Sequence, residues 1–203
     1  MNAQPEEPLV SEEGFWALVE KTDQRLEHVG GRVYAMATGT YTHSRLIVRL
    51  NAMLDNALFG SQCSSTGNEF FVQVESTGDK HIPDAAVHCE NPRFGGKNGL
   101  TLLNPIVVAE VLSPKTQGYD RQDKFDSYSR IPSLQDYLLV WADYIKVAHY
   151  TRQEDGWLLR NHTALDDVVR LPSIGVELPL ERLYAGMNVP FQFILFPQPE
   201  SGQ

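Results

Sequence analysis

Residues 105–116 read PIVVAEVLSPKT. Apolar and β-branched residues run from Pro105 to Leu112, broken only by Glu110, and Ser113-Pro114 ends the run. A run without polar alternation predicts a strand buried on both faces. An isolated charge in such a strand costs several kcal/mol or more, so Glu110 must be paired, protonated or bound to a metal ion. Its partner has to come from neighbouring segments.

Working outward, IPDAAVH (82–88) and NEFFVQVE (68–75) read as strands before it, and THSRLIVRLNAMLDNALFG (42–60) has the apolar spacing of a helix, with Gly60 as its stop. After it, GYDRQDKFDSYSRI (118–131) predicts a helix ending before Pro132, and DYLLVWA (136–142) another buried strand. The order is helix, strand, strand, strand, helix, strand. Three successive strands suggest a meander, and strand–helix–strand suggests one parallel crossover. The fold class is therefore α/β, with an α+β mixed sheet flanked by helices. RLEHVGGRVYAMA (25–37) adds an N-terminal hairpin turning at Gly30-Gly31, after a short helix capped by Ser11. Residues 90–104 read as a Gly-rich loop, short strands follow from Tyr144 to about Glu177, and LPLERLYAG (178–186) closes with a short helix. One domain over 9–195 is expected, with loose tails at 1–8 and 196–203.

The 203 residues are 42% hydrophobic and 21% charged, enough for one core. No stretch approaches the roughly 20 apolar residues of a membrane span. The acidic N-terminus has no apolar signal region, and Cys63 and Cys89 form no CxxC pair. Reduced thiols in a cytoplasmic protein, with no zinc site, are the expectation. A net charge of −9 weighs against strong non-specific nucleic-acid binding. An acid cluster built for a metal ion contributes to such a charge, so a nucleic-acid enzyme is not excluded.

Pro83-Asp84 opens one strand and Glu110 lies in the next. If those strands are neighbours, the two carboxylates repel unless a cation joins them. Hard oxygen donors without Cys or His point to Mg²⁺ or Mn²⁺. Asp120, Lys124 and Tyr128, spaced i, i+4, i+8, share one helix face. A lysine aimed at the carboxylates could orient a water nucleophile and offset charge growing on a phosphate. Plainer readings compete. Asp84 could be a turn acid, Lys124 a surface partner of Asp120 or Asp126, Glu27 a hairpin surface charge and His43 a helix-start residue. Asp120 and Tyr128 read as supports. His81, His88 and Cys89 have no metal spacing and read as incidental.

PDAAV, VVAEVLSP, YDRQDKFDSYSRI and DYLLVWA, in that order, resemble the Uma family of restriction endonucleases, within the PD-(D/E)XK nuclease superfamily. RLEHVGGRVYAM, THS and VELPLERLYAG extend the resemblance over nearly the whole chain. It implies a restriction-endonuclease-like core and a Mg²⁺- or Mn²⁺-dependent endonuclease acting on DNA. It implies Asp84, Glu110 and the Val111 carbonyl as metal ligands, Lys124 as the catalytic lysine and Glu27 as a leading acid, with His43 matching a histidine at the helix start. The lysine usual two residues after the strand acid is absent: Leu112 stands there, and Lys115 rivals Lys124 for its role. The alternative is a catalytically inactive nuclease-fold module used for binding or assembly. A two-fold homodimer is also implied, with Val147, Tyr150 and Trp157 as candidate exposed apolar residues. Lys124→Ala is expected to leave folding and Mg²⁺ binding nearly intact.

Overall fold

The computed structural model describes residues 9–36, 39–112 and 117–190, with the backbone alone for 117–122. The tails at 1–8 and 196–203 and Lys115 lie outside the described residues, as does the Asp120 side chain.

The chain begins with α1 (Glu12–Val19), β1 (Leu26–Val29), β2 (Arg32–Ala35), α2 (Tyr41–Leu58), β3 (Ser64–Thr66) and β4 (Phe71–Val74). It continues with β5 (Asp79–His81), β6 (Ala85–His88), β7 (Phe94–Gly95), β8 (Thr101–Leu102), β9 (Val107–Leu112) and α3 (Gln117–Tyr128). Then come β10 (Asp136–Trp141), β11 (Val147–Gln153), β12 (Gly156–His162), β13 (Val168–Leu171), β14 (Val176–Pro179) and α4 (Leu180–Leu183).

Two mixed sheets form the body, ordered β2-β1-β5-β4-β8-β7 and β12-β11-β10-β9-β6-β3, and β13-β14 is a separate pair. β9 and β10 are parallel neighbours, joined through α3, and every residue in both is buried. That is the environment expected of an unbroken apolar strand. On one face of the second sheet, Ala85, Ala109, Val111 and Val140 pack with Leu46, Leu50 and Leu54 of α2. On the other, Ala86, Val108 and Leu112 pack with Tyr128 and with Val72 and Val74 of the first sheet.

The order of elements agrees with the sequence reading, but the meander does not form. NEFFVQVE pairs within the first sheet, while IPDAAVH pairs within the second. The chain crosses between sheets at Ile82-Pro83-Asp84, directly after the unforeseen strand β5. Pro83 has no N–H to give a ladder, so it suits a passage between strands. The loop 90–104 contains β7, a 3₁₀ turn (Lys97–Gly99) and β8.

Two further expectations are corrected. Cys63 and Cys89 form a disulfide rather than free thiols. The β3–β6 register pairs Ser64 with His88, and one step further sets the cysteines opposite each other. Val147 is buried in the core, and Tyr150 and Trp157 pack on Phe125 of α3 at ring distances of 4.3 and 5.5 Å. Tyr150 and Trp157 thus cover the protein's own helix α3, while Val147 lies in the core on the α2 side of the sheet.

Candidate active site

The seam between the two sheets, closed by α3, gathers the acids. β1 and β5 pair antiparallel through His28 and Lys80, which sets Glu27 opposite His81 one step along. β6 and β9 pair through Ala85 and Ala109, which sets Asp84 opposite Glu110. Alternation puts Asp84 with Ala86, and Glu110 with Val108, on the face that α3 covers. Asp84 and Glu110 therefore point to the same side of the sheet. Across α3, Lys124, Ser127 and Tyr128 are buried at i, i+3, i+4 spacing, one face aimed at the seam.

Lys124 answers the question set by Glu110. Its Nζ lies 3.0 Å from Glu27 Oε1 and 3.2 Å from Glu110 Oε1, with all three side chains at most 4% exposed. The Tyr128 hydroxyl donates to Glu110 Oε1 at 3.1 Å. Burial, then the Glu110 charge, pushes the Tyr128 phenol well above its ordinary value, so it remains a donor. The Ile82 amide donates to Glu27 Oε1 at 2.9 Å. Burial pushes the Glu27 carboxyl up, but Lys124, His81 and the Ile82 amide outweigh it and hold the group down at about 2. Glu27 is thus a buried member of this cluster and not a hairpin surface charge, and Lys124 is not an exposed helix residue.

Asp84 is held differently. Its Oδ2 accepts the Val111 amide at 2.7 Å, and Asn51 of α2 donates to its backbone carbonyl at 2.9 Å. Burial raises the Asp84 carboxyl, against the pull of the Val111 amide, His43, Lys124 and Arg25. Thr40 caps α2 by accepting from the His43 amide, and His43 Nε2–H donates to the Val111 carbonyl at 2.8 Å. His43 therefore binds the carbonyl that the resemblance names as a metal ligand.

Among the described residues, no group of three or more His, Cys, Asp or Glu side chains is arranged to hold a metal ion. The oxygen donors available are Asp84, Glu110 and the Val111 carbonyl. Their chemistry fits Mg²⁺ or Mn²⁺, because all are hard oxygens. Asp84 is buried and has no salt bridge among the described residues, while Lys124 is shared between Glu27 and Glu110.

Three participants escaped the sequence reading. His81 Nδ1 faces Glu27 Oε2 at 3.9 Å, and its Nε2 lies 2.8 Å from Ser127 Oγ. Ser127 in turn donates to Asp79 Oδ2 at 3.4 Å. Asp79 and His81 alternate on one strand face, a signal available in DKH but hidden by the lack of any apolar pattern there.

The comparisons agree with this architecture. A crystal structure from Anabaena variabilis, titled a "putative nuclease belonging to DUF820", superposes with a TM-score of 0.71. It is 16% identical, over 86% of this chain and 97% of that one, and shows the shared fold. The uncharacterized protein slr1290 of Synechocystis sp. is 35% identical over 181 residues, covering 89% of this chain and 94% of its own. The uncharacterized protein sll1609 of the same organism is 30% identical over 141 residues, covering 69% and 80%. Residues 13–181 match the model of Uma2, described as "Putative restriction endonuclease", and the chain belongs to that family.

Proposed function

We propose that this protein is a metal-dependent endonuclease hydrolysing DNA phosphodiester bonds. The observation that supports it best is the buried Glu27–Lys124–Glu110 cluster, beside an Asp84 set opposite Glu110 on the same sheet face. Buried acids with a shared lysine at one seam suit phosphoryl transfer better than they suit packing. Asp84, Glu110 and the Val111 carbonyl would hold Mg²⁺ or Mn²⁺, which supplies Lewis-acid polarisation of the phosphate and a more acidic water. Lys124 orients the attacking water and offsets charge on the phosphate oxygens. Glu27 fixes the ammonium from one side, and Tyr128 fixes Glu110 from the other. His43 and Asn51 hold the backbone that presents Val111 and Asp84.

The reading extends to one domain over 9–195 and a two-fold homodimer able to make two cuts. No helix among the described residues is long and apolar enough to cross a membrane. The net charge of −9 supports a second reading, a nuclease-fold module used for binding or assembly without catalysis. Plasmid cleavage separates them. The wild type should nick DNA with Mg²⁺ or Mn²⁺ but not in EDTA, and Asp84→Ala should abolish both nicking and the thermal stabilisation by the ion. No cleavage and no ion-dependent stabilisation in the wild type would favour the module.

A further inference from the structure

The outward face of α2 carries a stripe that packing within the chain does not use. Tyr41, Arg45, Val48, Ala52, Asp55 and Phe59 are exposed, while Leu46, Leu50, Leu54 and Leu58 face the core. Tyr41 is 80%, Val48 59% and Phe59 92% exposed. At about 100° per residue, the six positions fall within an arc of about 80°. Single exposed apolar residues are ordinary, but three large ones along one narrow helix stripe mark an interaction surface.

The order of the stripe identifies what covers it. From Tyr41 onward it runs aromatic, cation, apolar, apolar, anion, aromatic, and its second half mirrors the first about the level of Leu50. Two copies of α2 packed antiparallel, with a two-fold axis at that level, set Tyr41 against Phe59 of the second copy, Arg45 against its Asp55, and Val48 against its Ala52. A two-fold contact has to be self-complementary, because one patch meets itself. A surface for an unrelated partner has no such requirement. The charges are available: Arg45 has no ion pair or hydrogen bond among the described residues, and Asp55 accepts only the Ser65 hydroxyl, at 3.3 Å. Ala52 borders a groove on either side, one toward Met53 and Arg182 and the other toward Val48 and Ser65. A small residue between grooves lets the ridges of a second helix settle at an interaxial distance of about 8–10 Å. Each chain has a net charge of −9, so two copies repel overall, and a contact of balanced, locally paired charge suits them.

We infer that the exposed face of α2 is the two-fold contact between two copies of this chain, held by two Arg45–Asp55 ion pairs and closed at each end by Tyr41 on Phe59. The assignment rests on the dimer reading, to which it gives a surface, and is independent of nuclease activity. The inner flank of the same helix carries His43 and Asn51, which bind the Val111 and Asp84 carbonyls, so contact and candidate active site share one rigid element.

The test is sedimentation velocity of the full chain over a micromolar concentration series, for the wild type, Arg45→Asp, Asp55→Arg and the double variant. The wild type should be a dimer. Each single reversal sets like charges together at two symmetric places, and should raise the dimer dissociation constant by about 10-fold or more. The double reversal sets opposite charges together again and should restore the dimer. Far-UV circular dichroism should be the same for all four, because both side chains are exposed. Single variants as dimeric as the wild type overturn the α2 assignment and leave a dimer through another surface. A double reversal that stays dissociated overturns the Arg45–Asp55 pairing and the assignment with it. A monomeric wild type overturns the assignment and the dimer reading together, leaving the stripe to a partner of different sequence.

Discussion

Replacing Lys124 by methionine removes the ammonium between Glu27 and Glu110 but keeps most of its stem. The sequence reading has Lys124 paired by Asp120 and bounded by Tyr128 at the sheet edge, and expects Lys124→Ala to leave folding nearly intact. The burial of Lys124 argues for a larger cost. Lys124 is 2% exposed, and both carboxylates it serves are 3% exposed. Without it, two buried acids share a seam and lose the ammonium between them. Breaking a buried pair by removing one partner costs about 3–5 kcal/mol. For a chain of this size, each kcal/mol moves the melting temperature by about 2–4 °C, so the expected drop is about 6–20 °C. Differential scanning calorimetry in EDTA measures it without interference from metal ions. The double variant Lys124→Met/Glu27→Gln removes one charge of each sign and should recover more than half of the loss. Cleavage by the single variant should fall by about 10²-fold, the scale of a lost charge-stabilising group. A melting temperature within about 2 °C of wild type, well short of that range, would refute the role of Lys124 as the shared counter-ion.

Glu27 has its folded value held at about 2, against 4.5 as its ordinary value. A depressed carboxylate stabilises fully above its unfolded value, and the contribution disappears as pH falls through the folded one, here about 3 kcal/mol in all. Urea unfolding between about pH 5 and pH 2.5 should show a smaller acid loss for Glu27→Gln than for wild type; parallel curves contradict the assignment. Reducing Cys63–Cys89, which closes a separation of 26 residues, should cost about 3 kcal/mol in urea unfolding with and without dithiothreitol. An unchanged midpoint would mean that the bridge does not form in solution. Light scattering should give twice the 22.8 kDa chain mass at micromolar concentration, and a monomer alone counts against the dimer.

Which parts of this structure are legible in the chain follows from where the physics is local. β9 and β10 are visible because both faces of each strand are buried, so their sequences are almost wholly apolar, apart from Glu110 within β9 and Asp136 at the start of β10. α2 is visible because Leu46, Ile47, Leu50, Leu54 and Leu58 are its buried stripe. The division into two sheets is not visible, because it depends on what the chain does across three residues at Ile82-Pro83-Asp84. β5 escapes because DKH is polar and its burial comes from partners distant in sequence, Glu12 on Lys80 and Ser127 on His81. The disulfide escapes for a related reason. Two cysteines 26 residues apart become partners only once β3 and β6 have a register. Glu27 could be matched by resemblance, but its burial follows from β1–β5 pairing, which a hairpin reading does not contain.

The missing strand lysine is the remaining departure, and the packing explains how the chain accommodates it. Leu112 has the same strand parity as Glu110, so it faces α3, where a lysine at that position would also point. It is fully buried in one cluster with Tyr128, Tyr137 and Trp141. An ammonium there would have to leave water inside an aromatic core. Placing the ammonium on α3 avoids this. Lys124 approaches the acids from the helix side and reaches Glu27 as well as Glu110, linking the two sheets through one charge. The same helix face supplies Tyr128 to Glu110 and Ser127 to His81. Strand and helix have exchanged roles: the strand position has become core, and the helix has become the element that aims the cation. Because β9 and α3 are consecutive in the chain, the exchange preserves one buried leucine and one buried ammonium at the same seam.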